Sequence, residues 1–457
     1  MSVIGIYLND SALSVVGGDL PTSSLPSIVH ADPAQSQIMG SSARDTARLT
    51  PHLVSTDHWT TLARQGSNMP ASARSIVTAE LRCRLTGSST DTALQCAVPA
   101  VFDSDALSML LALMRAEGLN VGGFHDAAAL MASVAGLPGT TLVLEMGLGH
   151  VSVTRVDADV EVRRRSSATR FGAGFAALQQ SWLQRIADAM VLHTRFDPLH
   201  DGLSEQRLYD QLESAYSTAA LEGVAEISLP VPTGNLQVRL TRDQFSEAAS
   251  STYDEMLAVL HELRPAGAKT NIMLDERMLR LPGLLERIAS IRGSKVFVYP
   301  TDLAARAAIA ERRSVEADGS VSIQRGYAAR PATATLTEID LSSFPAAAYI
   351  APTHILFDGK AFELLDAPFE IGRSPARHGL KISEGLAGVS RLHCSLQTDE
   401  SGVTLVPHSQ QGTWLNDERV RGRVRVSSGD RLRIGVPGVI VELIAVGGAD
   451  CAAPSQR

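Results

Sequence analysis

Apolar and polar positions follow two different periods along the first three hundred residues. Short apolar runs rich in β-branched residues, such as 3–7 and 140–146, are each followed by a polar turn and another apolar run, which is typical of β-hairpins. Longer stretches with apolar residues three or four positions apart, such as 104–118 and 175–193, predict helices. This alternation indicates an α/β fold with more than one sheet.

The pattern changes near residue 315. Residues 315–350 are rich in Ala, Thr and Ser with little apolar periodicity, and predict a flexible linker. From Ala351 onward, short apolar runs are separated by Gly, Pro, Asp and Ser, which favours a small all-β sandwich. We therefore predict an α/β domain at 1–314, a linker at 315–350, a β-sandwich at 351–446 and a frayed tail at 447–457.

Composition narrows the class of protein. The chain has 457 residues, 44% of them hydrophobic and 20% charged, which fits an ordinary globular protein of two or three domains. A net charge of −8 gives no general attraction to nucleic acid or anionic lipid, and no apolar stretch is long enough to span a bilayer.

The cysteines and the N-terminus predict the compartment. No pair of cysteines has metal-ligand spacing, and the first residues lack the order of a signal peptide. We expect reduced thiols in a cytoplasmic protein without a metal site. The cysteines concerned are Cys83, Cys96, Cys394 and Cys451.

The most specific motifs lie in the β-rich region. "FEIGRS" at 369–374, "VSRLHC" at 389–394 and "HSQQGTWLNDERV" at 408–420 follow each other in the order G-R, S-R-x-H, G-T-x-x-N. This order, on a matching pattern of strands, resembles the forkhead-associated (FHA) domain, and the resemblance covers 351–446. It implies a sandwich that binds phosphothreonine peptides through loops at one end.

The candidate binding residues suit this chemistry. A phosphothreonine carries a charge of about −1.5 to −2 and three strong acceptor oxygens. Arg373 offers a planar guanidinium that can bind two of these oxygens, Ser390 offers a hydroxyl donor, and Arg391 is a second cation. The resemblance adds Gln411 and Asn416 to the predicted phosphopeptide site.

Two further positions qualify this prediction. We assign His393 to structure, since the matching histidine of the family braces a loop. The family usually has Ser/Thr-Asn-Gly where this chain has Gln410-Gln411-Gly412, and its asparagine binds the peptide backbone. Gln411 carries the same amide one methylene further out, which affects peptide affinity or selectivity more than phosphate binding. The alternative is a sandwich that kept its fold and lost its ligand.

The first domain resembles a different family. "IGIYLNDSALSVV", "CAVPAVFDSD", "GLNVGGFHDAAALMASVAG", "TLVLEMGLGHVSVTRVD", "RFGAGF" and "LRLPGLLERI" follow the order of elements in the ATPase domain of the seventy-kilodalton heat-shock chaperones, within the actin-like superfamily. This resemblance implies an actin-like fold with a nucleotide cleft between two phosphate-binding hairpins.

Several positions of that cleft depart from the family. Tyr7 replaces the first of the carboxylates that organise a metal-bound water, although Glu145 and Asp126 keep the later two. Asn9 replaces the glycine of the first hairpin. The second hairpin keeps Gly147 and Gly149, with Leu148 and His150 in place of small residues.

The adenosine pocket has changed as well. Glu213 matches the acid of the family, but the other polar contacts are lost, and acidic side chains stand where a Gly-Gly pair would contact the nucleotide. We predict a pseudo-ATPase without catalytic residues or a bound cofactor. The alternative is weak binding of ATP and Mg²⁺ through Glu145, Asp126 and Glu213. The replaced positions are Tyr216, Ser217, Ala220, Asp275, Glu276 and Arg306.

These features predict a phospho-dependent adaptor or scaffold. Its FHA-like module would bind a threonine-phosphorylated protein, and its ATPase-like domain would dock a second protein partner. The alternatives are an ATP-dependent, chaperone-like switch and an actin-like subunit of an assembly. In the predicted linker, Thr337 with Asp340 three residues later is a further candidate ligand for the chain's own sandwich, if a kinase phosphorylates it.

Overall fold

A computed structural model of the chain describes residues 2–31, 38–89, 91–231, 234–265, 269–291, 293–311, 321–341, 351–365, 367–375, 378–382, 388–399, 402–416, 418–435 and 438–445. The chain divides into two compact units, the first formed by 1–263 and 269–344 and the second by 264–268 and 345–457. The first unit mixes helices and strands, whereas the described part of the second contains strands without helices. This agrees with the predicted order of an α/β region followed by a β-rich region.

The secondary structure of the first unit is as follows. Its described strands are β1 Val3–Tyr7, β2 Leu13–Gly17, β3 Ser23–Leu25, β4 Val29–His30, β5 Ile38–Met39, β6 Val54–Ser55, β7 Ala93–Val98, β8 Val121–Asp126, β9 Gly139–Met146, β10 His150–Ala158, β11 Glu161–Phe171, β12 Val224–Val231, β13 Gly234–Thr241, β14 Thr270–Asp275, β15 Ser294–Tyr299, β16 Ile323–Gln324, β17 Gly326–Ala328 and β18 Thr337–Ile339. Its described α-helices are α1 Ser41–Arg44, α2 His58–Gln65, α3 Ala71–Arg84, α4 Ser104–Ala116, α5 Ala127–Ala135, α6 Phe175–Thr194, α7 Gly202–Glu222, α8 Arg242–Ala248, α9 Ser250–Leu263, α10 Leu284–Ala289 and α11 Leu303–Ala310. Short 3₁₀ helices cover Pro51–Leu53, Gly66–Asn68 and Glu276–Arg280.

The two larger sheets of the first unit share one strand order. In the described residues, the first sheet runs β16-β8-β7-β1-β2-β3 and the second runs β17-β11-β10-β9-β14-β15-β18. Three consecutive antiparallel strands, β1–β3 or β9–β11, are followed by two parallel strands, β7 and β8 or β14 and β15. The β1–β2 and β9–β10 turns therefore hold equivalent positions in their sheets.

Three hydrophobic cores stabilise the described part of this unit. One packs α2, α3 and α4 against the first sheet, and another packs α6 to α10 against the second. The third contains side chains of both sheets together with α5 and α11. Every residue of α5 is buried, as expected for a helix that is apolar all round, and its alanines occupy little space.

Helix starts follow the positions of short polar side chains. Asp103 caps α4 by accepting the N–H of Ala106 at 2.9 Å. The helix expected to start at Ser204 begins earlier, because Asp201 accepts the N–H groups of both Leu203 and Ser204. A carboxylate with two acceptor oxygens therefore caps α7 in place of the predicted serine.

The predicted linker differs from the expectation in its described part. The strand β16 pairs with β8, β17 with β11, and β18 with β15, so 323–339 extends both sheets of the first unit. Tyr327 is buried in the third core and anchors β17 there. Because the segment is otherwise rich in Ala, Thr and Ser, its composition does not indicate that one buried aromatic residue attaches a short strand to the sheet. Thr337 lies in β18 rather than in a linker.

Some predictions fall on residues outside the described part of the chain. These are the predicted tail at 447–457, the ends of the predicted linker at 315–320 and 342–350, and Cys451.

The second unit is built from short strands around one apolar core. Its described strands are β19 His354–Phe357, β20 Lys360–Glu363, β21 Phe369–Gly372, β22 Gly379–Lys381, β23 Cys394–Asp399, β24 Gly402–Pro407, β25 Thr413–Leu415, β26 Glu418–Val420, β27 Val424–Val426, β28 Arg431–Ile434 and β29 Val439–Ile444. They form sheets of order β20-β19-β29-β28-β25-β26 and β22-β21-β23-β24-β27. Alternate residues of both sheets, including Ile371, Leu405 and Leu432, fill the core between them, as in a β-sandwich.

Candidate functional site

The predicted phosphopeptide site begins where β21 ends. Phe369, Ile371 and Gly372 are buried, and Arg373 is the exposed residue that follows them. The N–H of Arg373 donates to the carbonyl of Ser390 at 3.0 Å, and the next N–H along the chain donates to the carbonyl of Arg391, also at 3.0 Å. These bonds place Arg373 beside the other predicted phosphate-binding residues.

A glycine makes this close approach possible. A Cβ at Gly372 would lie 2.1 Å from the carbonyl oxygen of Arg391, which is far inside van der Waals contact. The G-R motif therefore has a steric reason: Gly372 lets two loops touch, and Arg373 projects from the contact.

Two hydroxyl groups meet at the same place. Ser390 Oγ and Ser409 Oγ lie 2.7 Å apart, and the backbone N–H of Gln411 donates to Ser409 Oγ at 3.1 Å. Ser409 was not among the predicted residues, although a hydroxyl two positions before Gln411 was a signal that could have identified it. The structure thus brings Ser390 and the loop of Gln411 together through Ser409.

His393 holds this arrangement from inside the sandwich. Its Nδ1 accepts the N–H of Ser390 at 3.2 Å and its Nε2 donates to the carbonyl of Gly412 at 2.7 Å, which fixes the tautomer. Burial holds the pKa of His393 below its usual range, against the opposing effect of the Gly412 carbonyl. A neutral histidine therefore connects the Ser390 loop to the Gly412 loop, in agreement with the structural role predicted for it.

Asn416 occupies a turn between β25 and β26. It has a φ of +49°, a conformation that asparagine tolerates better than most residues. Its amide donates to Asp430 Oδ1 at 2.6 Å and its side-chain carbonyl accepts the N–H of Arg431 at 2.8 Å. Both partners lie outside this turn, at 430–431 where β28 begins, so Asn416 connects the turn to the start of β28.

The two predicted cations are available to an anion. Arg373 and Arg391 are exposed, and neither forms an ion pair with any residue that the structure describes. Guanidinium groups bind phosphate through two parallel hydrogen bonds. The end of the sandwich therefore places two guanidinium groups, which form no ion pair with a described residue, near the Ser390–Ser409 hydroxyl pair.

The turns predicted to form a degenerate nucleotide cleft pack directly onto each other. Asp10 Oδ1 accepts the N–H of Leu148 at 2.7 Å, and Ser11 Oγ donates to the carbonyl of Met146 at 2.6 Å. Asp10, Ser11 and Leu148 are all buried. The carboxylate of Asp10, which was not among the predicted residues, thus connects the first turn to the backbone of the second.

Gly147 and Gly149 of the second turn are both in close contact with other protein atoms. A Cβ at Gly147 would lie 2.6 Å from Asp10 Oδ1, and one at Gly149 would lie 2.9 Å from Thr60 Oγ1. Thr60 in turn donates to Asp10 Oδ2 at 3.3 Å. Because Gly147 and Gly149 have no side chains, Asp10 and Thr60 can approach their backbone closely.

Tyr7 and Asn9 complete a buried hydrogen-bond network with Glu145. The Tyr7 hydroxyl donates to Glu145 Oε1 at 2.7 Å, and Asn9 Nδ2 donates to the Tyr7 hydroxyl at 3.3 Å. Burial raises the pKa of Glu145 from 4.5 to about 7, opposed by the hydrogen bond from Tyr7 and increased by the nearby Asp126. The second oxygen, Oε2, has no hydrogen-bond partner among the described residues.

The two remaining predicted acids have structural partners. Asp126 caps α5 by accepting the N–H of Ala129 at 3.0 Å, and its other oxygen pairs with Arg164 at 2.9 Å. Glu213, half-exposed on α7, pairs with Arg44 of α1 at 2.9 Å. The structure therefore brings Tyr7, Asn9, Glu145 and the two glycines together, whereas Glu213 pairs with a different segment.

Asp275 and Glu276, which were predicted to stand in place of a Gly-Gly pair, also have partners within the protein. Asp275 pairs with Arg277 at 2.9 Å, and Glu276 accepts the N–H of Thr301 at 3.1 Å. Arg277 then donates to the carbonyl of Ser11 at 2.9 Å and binds its hydroxyl. Arg277 thus links the 3₁₀ helix to the first turn, a contact that the sequence motifs did not indicate.

No group of three or more His, Cys, Asp or Glu side chains has an arrangement that could hold a metal ion in the described part of the chain. None of the described helices combines the length and the apolar character that crossing a membrane would require.

Comparison with known proteins addresses the second unit. Residues 369–435 match the family model described as FHA domain. No curated protein matches the chain. The matched residues span the strands and loops that hold Arg373, Ser390, Ser409 and Gln411. Residues 369–435 are therefore an FHA domain, a type of module that implies phosphothreonine-containing protein partners.

Proposed function

We propose that the protein is a cytoplasmic, non-catalytic adaptor that binds a threonine-phosphorylated protein through its FHA domain and a second protein through its first unit. One observation carries the proposal: Arg373 and Arg391 are exposed and unpaired among the described residues, beside the Ser390–Ser409 hydroxyl pair. A phosphate dianion is the ligand that matches this combination of charge and donors.

The rigidity of the site supports binding of a peptide. The main-chain bonds from 373 and 374 to the Ser390 loop, together with His393, hold the loops before any ligand arrives. Preorganised donors lose little conformational entropy when they bind. Gln411 is exposed on the same loop and is the residue we expect to contact the peptide backbone.

For the first unit we propose a degenerate actin-like fold of the heat-shock ATPase type. The shared strand order of its two large sheets and the equivalent positions of the two turns support this proposal. The contact of Asp10 with the Leu148 N–H, together with Arg277 on the first turn, supports a role other than nucleotide hydrolysis. We propose that this unit instead presents its surface to the second partner.

Phosphopeptide binding tests the FHA part of the proposal. The full-length protein is titrated with peptides that contain phosphothreonine, phosphoserine or unmodified threonine in one sequence. We expect binding of the phosphothreonine form and at least a ten-fold loss in Arg373→Ala, since charge-assisted hydrogen bonds contribute about 1.5–3 kcal/mol. Arg431→Ala is the matched control, because Arg431 is exposed in the same unit but pairs with Glu442 at 3.2 Å. Equal binding by all three peptides would refute the proposal.

Calorimetry with Mg-ATP tests the proposal for the first unit. We expect no heat of binding and no hydrolysis. Micromolar affinity with turnover would instead favour the ATP-dependent, chaperone-like switch. Co-precipitation from cells with wild-type protein and with Arg373→Ala then separates the partners: the phosphorylated one is lost with the variant, whereas the partner of the first unit is retained.

A further inference from the structure

A run of arginines follows the candidate site along the chain. Residues 351–446 contain eleven basic and eleven acidic residues, so the second unit as a whole is balanced. Within it, 419–433 contains six arginines and one aspartate. Four of the arginines, at 419, 421, 423 and 425, occupy alternate positions and are exposed. The positive charge of this unit is therefore concentrated in one segment.

The first of these arginines touches the loop of the phosphothreonine site. Arg419 Nη2 donates to the carbonyl of Gln410 at 3.0 Å. The N–H of Gln411 donates to Ser409 Oγ, which lies 2.7 Å from Ser390 Oγ. A continuous path of hydrogen bonds and one peptide unit thus connects Arg419 to the hydroxyl expected to bind phosphate.

The sheet register fixes the direction of the arginine. Trp414 in β25 pairs with Arg419 in β26 on one side and with Arg433 in β28 on the other. Directly paired residues project from the same face of a sheet, so these three side chains share the outer face. The guanidinium of Arg433 lies 4.1 Å from the centre of the Trp414 ring, a cation–π contact that supports this face.

The next two arginines have no acidic partner in the described residues. Arg421 and Arg423 are exposed and form no ion pair within the part of the chain that the structure describes. The edge strand β26 itself holds Glu418 and Arg419, and Arg421 and Arg423 follow it as exposed charges of one sign. Charges near an edge strand also discourage sheet-to-sheet aggregation, but either sign of charge would serve that purpose. An excess of one sign, next to an anion site, points to an anionic ligand.

We propose that Arg419, Arg421 and Arg423 form a second anion subsite beside the phosphothreonine site, which we call the arginine subsite. The ligand is then a peptide that carries another negative group a few residues from its phosphothreonine. Guanidinium groups bind phosphate and carboxylate in the same forked geometry, so a second phosphate or an acidic side chain would serve. This inference rests on the proposed function, because the first phosphothreonine positions the peptide.

Matched peptides test the arginine subsite in the full-length protein. One carries a single phosphothreonine, another adds a second phosphothreonine nearby, and a third adds glutamates at that position. At about 0.1 M salt we expect each added anionic group to strengthen binding about five-fold, and most of this gain to disappear near 0.5 M salt, where exposed charges are screened. Whichever peptide shows the gain identifies phosphate or carboxylate as the preferred group.

Variants of the three arginines test whether the gain in binding depends on the arginine subsite. Arg421→Gln combined with Arg423→Gln should remove most of the gain and leave binding of the singly phosphorylated peptide unchanged. Arg419→Lys keeps the positive charge but cannot form the two parallel hydrogen bonds of a guanidinium group, and should weaken the preference for a second phosphate. Arg431→Gln is the control with the same change of charge, and should keep the gain because Arg431 already pairs with Glu442.

The outcomes separate this inference from the proposed function. Failure of every phosphothreonine peptide to bind would overturn both. Binding of the singly phosphorylated peptide without a gain, or with a gain that persists in the double variant, would overturn only the arginine subsite. Equally tight binding of an unphosphorylated acidic peptide or of single-stranded RNA would identify a general polyanion surface and also overturn the subsite.

Discussion

Replacing Glu145 with Gln is expected to remove a pH-dependent loss of stability from the first unit. The carboxyl is 1% exposed, and its burial raises its pKa from 4.5 to about 7. Tyr7 donates to one oxygen at 2.7 Å, and the other oxygen has no hydrogen-bond partner in the described residues. The folded protein therefore favours the neutral acid, which Gln resembles in size and charge.

The sign of the effect follows from proton linkage. A carboxyl whose folded pKa is raised stabilises the fold below its unfolded value, and that contribution is lost as pH rises through the folded value. Each unit of difference between the two pKa values is worth about 1.4 kcal/mol, so ionisation of Glu145 costs about 3 kcal/mol when complete. Between about pH 5 and pH 8 the wild type should lose roughly 2–3 kcal/mol that Glu145→Gln retains.

Urea unfolding followed at 222 nm measures this difference. The described α-helices all lie in the first unit, so the helical signal reports its unfolding. A second variant, Tyr7→Phe, removes a hydrogen bond that favours the ionised form of Glu145. It should therefore move the loss of stability to higher pH. Glu226→Gln, at a half-exposed residue paired with Arg239, should change the free energy of unfolding by less than about 1 kcal/mol. Parallel pH profiles for wild type and Glu145→Gln would refute the reasoning.

Three further predictions concern packing and reactivity. Gly372→Ala should lower the thermal midpoint of the second unit and abolish phosphopeptide binding, because its Cβ would lie 2.1 Å from the Arg391 carbonyl; calorimetry and peptide titration check this. Leu144→Ala, at a fully buried residue, should cost about 2–5 kcal/mol in urea unfolding. Burial raises the pKa of Cys394 to about 12, so iodoacetamide should label exposed Cys83 and leave Cys394 unmodified in the native protein, as read by mass spectrometry.

Much of the second unit could be predicted from sequence because its signals are local. Short strands bounded by turn residues define the sandwich, and the G-R and S-R-x-H motifs lie where strands end. Gly372 and His393 have steric and hydrogen-bonding reasons that act within a few ångströms. The missed residue, Ser409, reaches Ser390 only because two strands bring separate loops together, and no periodicity encodes that contact.

The parts of the first unit that were missed depend on contacts across the fold. The apolar period placed its hairpins and long helices well, whereas the short strands of 323–339 rest on isolated anchors such as Tyr327. Substitutions at Tyr7 and Asn9 could be noticed in the sequence. That Asp10 fills the second turn could not, because the two turns are 138 positions apart in the chain.

The two predicted anion sites differ in whether their polar groups already have partners within the protein. In the first unit, the N–H of Leu148 faces a carboxylate supplied by the chain itself, and the glycines around it accept protein atoms. Bringing a phosphate there would require Asp10 to leave and its buried partners to lose their hydrogen bonds, which costs about 1–3 kcal/mol for each group left unpaired. In the second unit, the guanidinium groups of Arg373 and Arg391 form no ion pair with a described carboxylate, so no such pair has to be broken when a phosphate binds. A polar group that already has a partner within the protein is not free to bind a ligand. Because Asp10 occupies the turn of the first unit, we assign phosphate binding to the FHA domain.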